Sequence, residues 1–129
     1  MARIEIVSET PITMAEAKHE IEKIKKRDTE LNFRSLKTDE YLGSFTKLDK
    51  KTSDEIYKKI DELQLPRMKR EHIIKIIDLM PEDVEELKVV LQGYTLTLSS
   101  ENLKKIADII APYLGNKKKK DETEEKAEE

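Results

Sequence analysis

Apolar residues recur along most of this chain at the three- and four-residue steps of a helix, and only the first few positions alternate. Residues 2–8 (ARIEIVS) set Ile4 and Ile6 against Arg3, Glu5 and Val7, the period of a short strand. Every later segment is helical, so this strand has no partner within its own chain, and an unpaired edge is costly unless another sheet receives it. Thr10-Pro11 ends the stretch, and Thr13 with Glu16 makes a capping box that starts a helix. Met14, Ala17, Ile21 and Ile24 form its narrow apolar face; Lys23, Lys25, Lys26 and Arg27 crowd its end, where cations suit the helix dipole. A second helix is expected over Ser35–Leu48, with Leu36, Tyr41, Leu42, Phe45 and Leu48 near one side and Gly43 as an interruption. Thr52 with Glu55 makes another capping box and opens a helix striped by Ile56, Ile60 and Leu63. After the break at Pro66 come Ile73, Ile74, Ile76 and Ile77, apolar over so wide an arc that this short helix should be the central, most buried one.

Two further amphipathic helices face each other across Leu79–Ile110. Pro81 suits a first helical position, because its fixed φ fits there and its missing N–H would be unpaired anyway. Glu82 and Asp83 place negative charge in the first turn, and Val84, Leu87, Val90 and Leu91 form one stripe. Gly93 reads as a left-handed stop. Ser99 or Ser100 caps the next helix, in which Leu103, Ile106, Ile109 and Ile110 make the facing stripe. The pattern therefore predicts a mainly α chain in three parts. Residues 1–48 hold the strand and first helices, residues 49–115 a compact four-helix domain, and residues 116–129 (NKKKKDETEEKAEE) a charged tail. That tail has no large apolar side chain, so ordering it would bury nothing to offset the entropy, and it is expected to be disordered.

Composition narrows the partners. Charged residues make up 41% of the chain and hydrophobic ones 36%, a balance of surface-rich helices and solvated tails. The formal net charge of −3 gives no global electrostatic reason to bind nucleic acid or membrane. With no cysteine there are no disulfides, thiol nucleophiles or cysteine-ligated zinc, which fits a reducing compartment. No apolar run approaches the roughly 20 residues of a membrane span, and no signal-peptide core opens the chain. A soluble, cytoplasmic protein is expected.

The residues offer little chemistry. His19 and His72 stand apart with no metal-ligand spacing, and both are expected to be solvated. Ser53, Ser99 and Ser100 belong to helix starts rather than nucleophile motifs, and the three glycines are isolated. Adjacent acids such as Glu82 and Asp83 diverge by about 100° on a helix and do not converge on a substrate. No enzyme site, cofactor or metal is expected. Arg67, Lys69, Arg70 and Lys75 gather at and after the Pro66 turn and form a candidate phosphate-contacting patch. No aromatic is interleaved there, so base stacking has no support. The plain alternative is a solvated, charged helix entry.

Three segments in order resemble a known family: EYLGSFTKLDKKTSDEIYKKIDEL (Glu40–Leu63), IIDLMPEDVEELKVVL (Ile76–Leu91) and SSENLKKIADIIAPYL (Ser99–Leu114). Together with IEIVSE ahead of a helix near Thr13–Arg27, they are similar to the family of the archaeal RNA polymerase F subunit, counterpart of the eukaryotic fourth polymerase subunit. The similarity runs over about residues 3–114, and order and spacing carry it rather than any one motif. It implies a non-catalytic polymerase component with an HRDC-like helical domain, whose N-terminal part clamps the E subunit, the larger OB-domain member of the polymerase stalk. Such a heterodimer leads to the polymerase core, supports initiation and handles emerging RNA. The lone strand would then be completed by the partner's sheet. The interface is expected on Ile4, Ile6, Ala17, Ile21, Ile24, Leu42 and Phe45, apolar groups outside the four-helix domain. The competing expectation is a free-standing HRDC-type domain that binds nucleic acid through the Arg67–Lys75 patch.

Overall fold

The computed structural model describes residues 3–115. Its helices are α1 (Met14–Arg27), α2 (Phe33–Phe45), α3 (Lys50–Asp61), α4 (Arg70–Leu79), α5 (Val84–Leu91) and α6 (Ser100–Ile110), with a 3-10 turn at Ala111–Tyr113. The charged stretch 116–129, expected to be disordered, lies outside the described residues.

Side-chain oxygens set most helix starts, because the first backbone N–H groups of a helix have no partner within it. Thr13 Oγ1 accepts from the Glu16 N–H at 3.1 Å, as its capping sequence predicts. Asn32 Oδ1 accepts from Ser35 N at 2.8 Å, so α2 begins at Phe33, earlier than Ser35, and it runs through Gly43 without interruption to stop at Phe45. Asp49, not Thr52, opens α3: its carboxylate accepts from Thr52 N at 2.8 Å. An anion is the better cap at the positive end of a helix, and the hydrogen bonds from Thr52 hold this carboxyl below its ordinary range. Pro81 likewise lies ahead of α5 rather than in it. Asp83 is the cap, accepting from Glu86 N at 2.8 Å, while Glu86 reaches back to the Glu82 N–H at 2.8 Å. Ser99 caps α6 through the Asn102 N–H.

Helices α3 to α6 close a ring: each packs on the next, and α6 returns to α3. Inside it lie Ile56, Ile60, Ile73, Ile76, Ile77, Met80, Leu87, Leu91, Leu103, Ile106 and Ile110. The wide apolar arc of α4 is indeed buried: His72, Ile73, Ile74, Ile76 and Ile77 are all buried, and Ile73, Ile76 and Ile77 lie within the ring. His72 corrects the expectation of a solvated ring. It is 6% exposed, its Nδ1 accepts from Lys69 N at 3.0 Å, and its edge meets Tyr94 at 4.6 Å between centroids. A hydrogen-bonded imidazole can be buried without an unpaired nitrogen at that position. Met80 then reverses the chain in the left-handed region (φ 47°), an uncommon conformation for a long side chain that its complete burial holds in place.

Outside the ring, α1 packs on α2 and on α3. The strand expected over residues 2–8 is not seen: no strand forms among the described residues, and nothing in them offers this arm a ladder. Its joint with α1 is nevertheless tied to the ring. Met14 N donates to Asp78 Oδ1 at 3.0 Å, Arg70 Nε donates to the Pro11 carbonyl at 2.7 Å, and Thr13 Oγ1 meets the buried Ser53 Oγ at 3.4 Å.

This packing makes two expectations measurable. Ile76→Ala or Leu87→Ala, at fully buried sites, should lower stability by about 2–5 kcal/mol in chemical denaturation, whereas exposed Val89→Ala should change it by less than about 0.5 kcal/mol. Burial raises the Asp78 carboxyl above its ordinary 3.8, offset in part by the Met14 N–H. The native state then holds a proton that the unfolded chain has already released, so this group's contribution falls as pH rises from 3.8 through the shifted value. Over that window the wild type should lose stability relative to Asp78→Asn; parallel stability curves for the two would contradict the assignment.

Candidate partner-binding face

Helix α2 is built inside out. Its inward side is the row Ser35, Asp39 and Leu42, of which only Leu42 is apolar; the other residues of the helix are exposed. Asp39 uses its inward place for an ion pair with Lys25 of α1 at 2.6 Å. The large apolar side chains point the other way: Phe33 is 73% exposed, Leu36 45%, Tyr41 56% and Phe45 54%. Tyr41 and Phe45, one turn apart, stack at 4.7 Å, and the Lys37 ammonium lies 5.7 Å from the centre of the Phe33 ring. In water such a surface gains little from being helical, because amphipathic helices are held by the apolar face they bury. Apolar side chains scattered singly over a surface need no explanation, but four gathered on one short helix form a patch of the kind that marks interaction sites.

The arm continues the same character. Ile4 and Val7 are each 94% exposed, Ile6 72% and Ile12 41%. The expected interface residues therefore separate into three groups. Ile4, Ile6 and Phe45 are presented to solvent; Ala17, Ile21 and Ile24 are partly covered on α1; Leu42, at 4% exposure, is already used in packing inside the chain. The expectation that Leu36, Tyr41, Leu42 and Phe45 share a side fails at Leu42, which alone of the four is buried. Leu48 falls beyond the helix end. Val7, Ile12, Phe33, Leu36 and Tyr41 complete the exposed set of the first 48 residues and were missed as interface residues. Spacing within α2 gave no signal for Phe33, Leu36 and Tyr41, because the side that faces the chain is marked by a tertiary contact, the Lys25–Asp39 pair.

The basic group is less open than its spacing suggests. Arg70 is engaged with the Pro11 carbonyl, with Glu16 at 4.0 Å, and with the face of Tyr57 at 4.9 Å. Lys75 lies over Tyr94 at 4.9 Å. Arg67 and Lys69 remain exposed at the mouth of an open hollow of about 480 Å³ that Glu71, His72 and Tyr94 help to line. An aromatic ring thus does stand in this region, brought there from the far side of α5 and invisible to local spacing. Arg27 and Asp28 pair at 3.0 Å, which moves each toward its charged form, but they do so in open solvent. No group of three or more His, Asp or Glu among the described residues is placed to hold a metal ion. No helix among them is long and apolar enough to cross a membrane. What the described surface offers is an apolar contact face rather than a reactive centre.

Comparison with known proteins matches the sequence of this chain to a family. The model of the RNA polymerase Rpb4 family matches residues 7–114, which takes in every helix and most of the arm. The DNA-directed RNA polymerase subunit Rpo4 of Methanocaldococcus jannaschii is 30% identical over 109 residues, spanning 84% of this chain and 89% of its own length. The family named here is the one that the segments from Glu40 to Leu114 resemble, and the chain belongs to it: it is a member of the RNA polymerase Rpb4 family.

Proposed function

We propose that this chain is the smaller member of the polymerase stalk, paired with the E subunit, the larger OB-domain protein, and through it joined to the polymerase core. Membership of the Rpb4 family makes it a non-catalytic subunit of a DNA-directed RNA polymerase; the pairing is read from the chain's own surface. The observation that carries it is α2, whose apolar residues face solvent while its inward row is mostly polar. A partner that covers Phe33, Leu36, Tyr41 and Phe45 supplies the burial this helix lacks in isolation. The arm serves the same partner: Ile4 and Ile6 lie on one side of an edge that a neighbouring sheet completes by strand addition. Ala17, Ile21 and Ile24 on α1 border that interface, whereas Leu42 supports it from behind.

On this reading residues 1–48 are the clamp and residues 49–115 an HRDC-like helical domain that the clamp carries. The work is transcriptional and cytoplasmic: support of initiation and contact with emerging RNA. Any direct contact of this chain with nascent RNA falls to Arg67 and Lys69, because Arg70 and Lys75 are already engaged within the chain. That engagement also weakens the free-standing nucleic-acid-binder reading, which needs the whole basic group presented to phosphates.

Purification of a tagged copy from native lysate, with partners identified by mass spectrometry, tests the pairing. Recovery of a larger OB-domain protein and polymerase core subunits is the expected result; recovery of the chain alone, or with nucleic acid and no polymerase, overturns it. Phe45→Ala should cost the isolated chain less than about 1 kcal/mol, since the ring is exposed there. The same change should weaken pairing by about 2 kcal/mol or more, the size of an interface hot spot. Ile6→Glu should reduce pairing and leave the thermal unfolding of the helical ring unchanged; unaltered affinity would remove the arm from the interface.

A further inference from the structure

The joint between the arm and α1 is held by α4 at two points near its opposite ends. Arg70, its first residue, donates through Nε to the Pro11 carbonyl at 2.7 Å; Asp78, its next-to-last, accepts the Met14 N–H at 3.0 Å. These are contacts between residues 59 and 64 positions apart, so local helix formation does not explain them. Met14 is the first residue of α1, and its N–H has no acceptor within that helix. The Thr13 hydroxyl, the helix's own cap, is committed to Glu16 N, so a second helix supplies the acceptor for Met14. Each grip is itself supported. The Arg70 guanidinium is flanked by the Tyr57 ring and the Glu16 carboxylate, and Thr13, between the grips, meets Ser53 on α3. Asp78 lies with Met14, Ala15, Thr46, Lys47, Leu48 and Ile77 around a void of about 10 Å³.

The arm leaves the fold from this joint, and its apolar residues from Ile4 to Val7 are exposed. Fixing the two points on either side of Ile12 and Thr13 fixes the direction in which those residues are presented. An arm already held in one direction loses less conformational freedom on docking than one free to sweep through solvent.

We propose that Arg70 and Asp78 form a latch that presets the course of the N-terminal arm, making both positioning residues for the interface and giving Arg70 a role other than phosphate contact. This rests on the stalk reading for the partner, but the grip itself is a property of the isolated chain. Asp78 holds the start of α1, Arg70 holds the last turn of the arm, and the most buried helix of the ring supplies both.

Amide hydrogen exchange and ¹⁵N relaxation of the full chain test the grip, and titration with the purified OB-domain stalk protein tests its use. In Asp78→Ala the Met14 amide should exchange about tenfold faster, the factor expected for losing one hydrogen bond. Asp78→Asn, which keeps an acceptor oxygen, should restore most of that protection. Arg70→Met keeps the stem beside Tyr57 but removes the donor, and should lower the order parameters of Glu9, Thr10 and Ile12 with the core amides of α4 and α6 unchanged. Both Asp78→Ala and Arg70→Met should bind the OB-domain protein severalfold more weakly, with Asp78→Asn near wild type. A Met14 amide that exchanges equally fast in wild type and Asp78→Ala overturns the grip. A loosened joint with unchanged affinity overturns its positioning role. Failure of the wild-type chain to bind the OB-domain protein at all overturns the pairing and with it the positioning role, while the exchange comparison still decides the grip.

Discussion

Five of the ten residues of α4 are buried, four of them isoleucines, and α4 imposes the covering of that arc on everything around it. Ile73, Ile74, Ile76 and Ile77 cannot be covered by one neighbour, because they span too wide an arc. Ile73, Ile76 and Ile77 are covered by a ring: α3 and α5 lie against α4, and α6 closes the far side between them. The short elements then fall into place as a consequence. Met80 accepts a left-handed conformation to turn the chain back toward α5 directly after the end of α4, and Asp49 and Asp83 start their helices where the ring needs them. Burying branched aliphatic side chains against one another is the main source of stability in such a domain.

The first 48 residues obey a different rule. In α2 the polar Ser35 and Asp39 face the chain while Phe33, Leu36, Tyr41 and Phe45 are exposed, which is the reverse of what a self-sufficient helix does. Lys25 with Asp39, Thr13 with Ser53 and Met14 with Asp78 are the contacts that attach α1 and α2 to each other and to the ring. Phe33, Tyr41, Phe45, Ile4 and Val7 are left over. A division of this kind, polar attachment behind and apolar presentation in front, is what carries the pairing proposed for this polymerase subunit. On the proposed reading, the ring folds by its own burial and the first 48 residues complete theirs on a partner.

Much of this was legible in the chain because local rules and tertiary demands agree there. Thr13 and Ser99 cap where their sequences say, and the isoleucines of α4 announce the centre of the fold. The readings that changed did so where a distant group intervened. His72 looks like a surface histidine until the Lys69 N–H and Tyr94 take up its ring, and Arg70 looks like a phosphate contact until Pro11, Glu16 and Tyr57 surround it. Leu42 sits among three exposed neighbours on the same helix, and only the register set by Asn32 and the Lys25–Asp39 pair turns it inward. Spacing along the chain gives a helix its stripe, but which of two stripes faces the core is decided by what the rest of the molecule brings to meet it.

If the arm and the outward side of α2 form one face that another polymerase subunit completes, assembly must cover both together. Hydrogen exchange of this chain, alone and within the purified polymerase, measures that directly. Exchange should slow across residues 3–12 and 33–45 on assembly, with α5 and α6 as they are in the free chain. Protection confined to α5, α6 or the Arg67–Lys75 region, with the arm and α2 exchanging as freely as before, would contradict it.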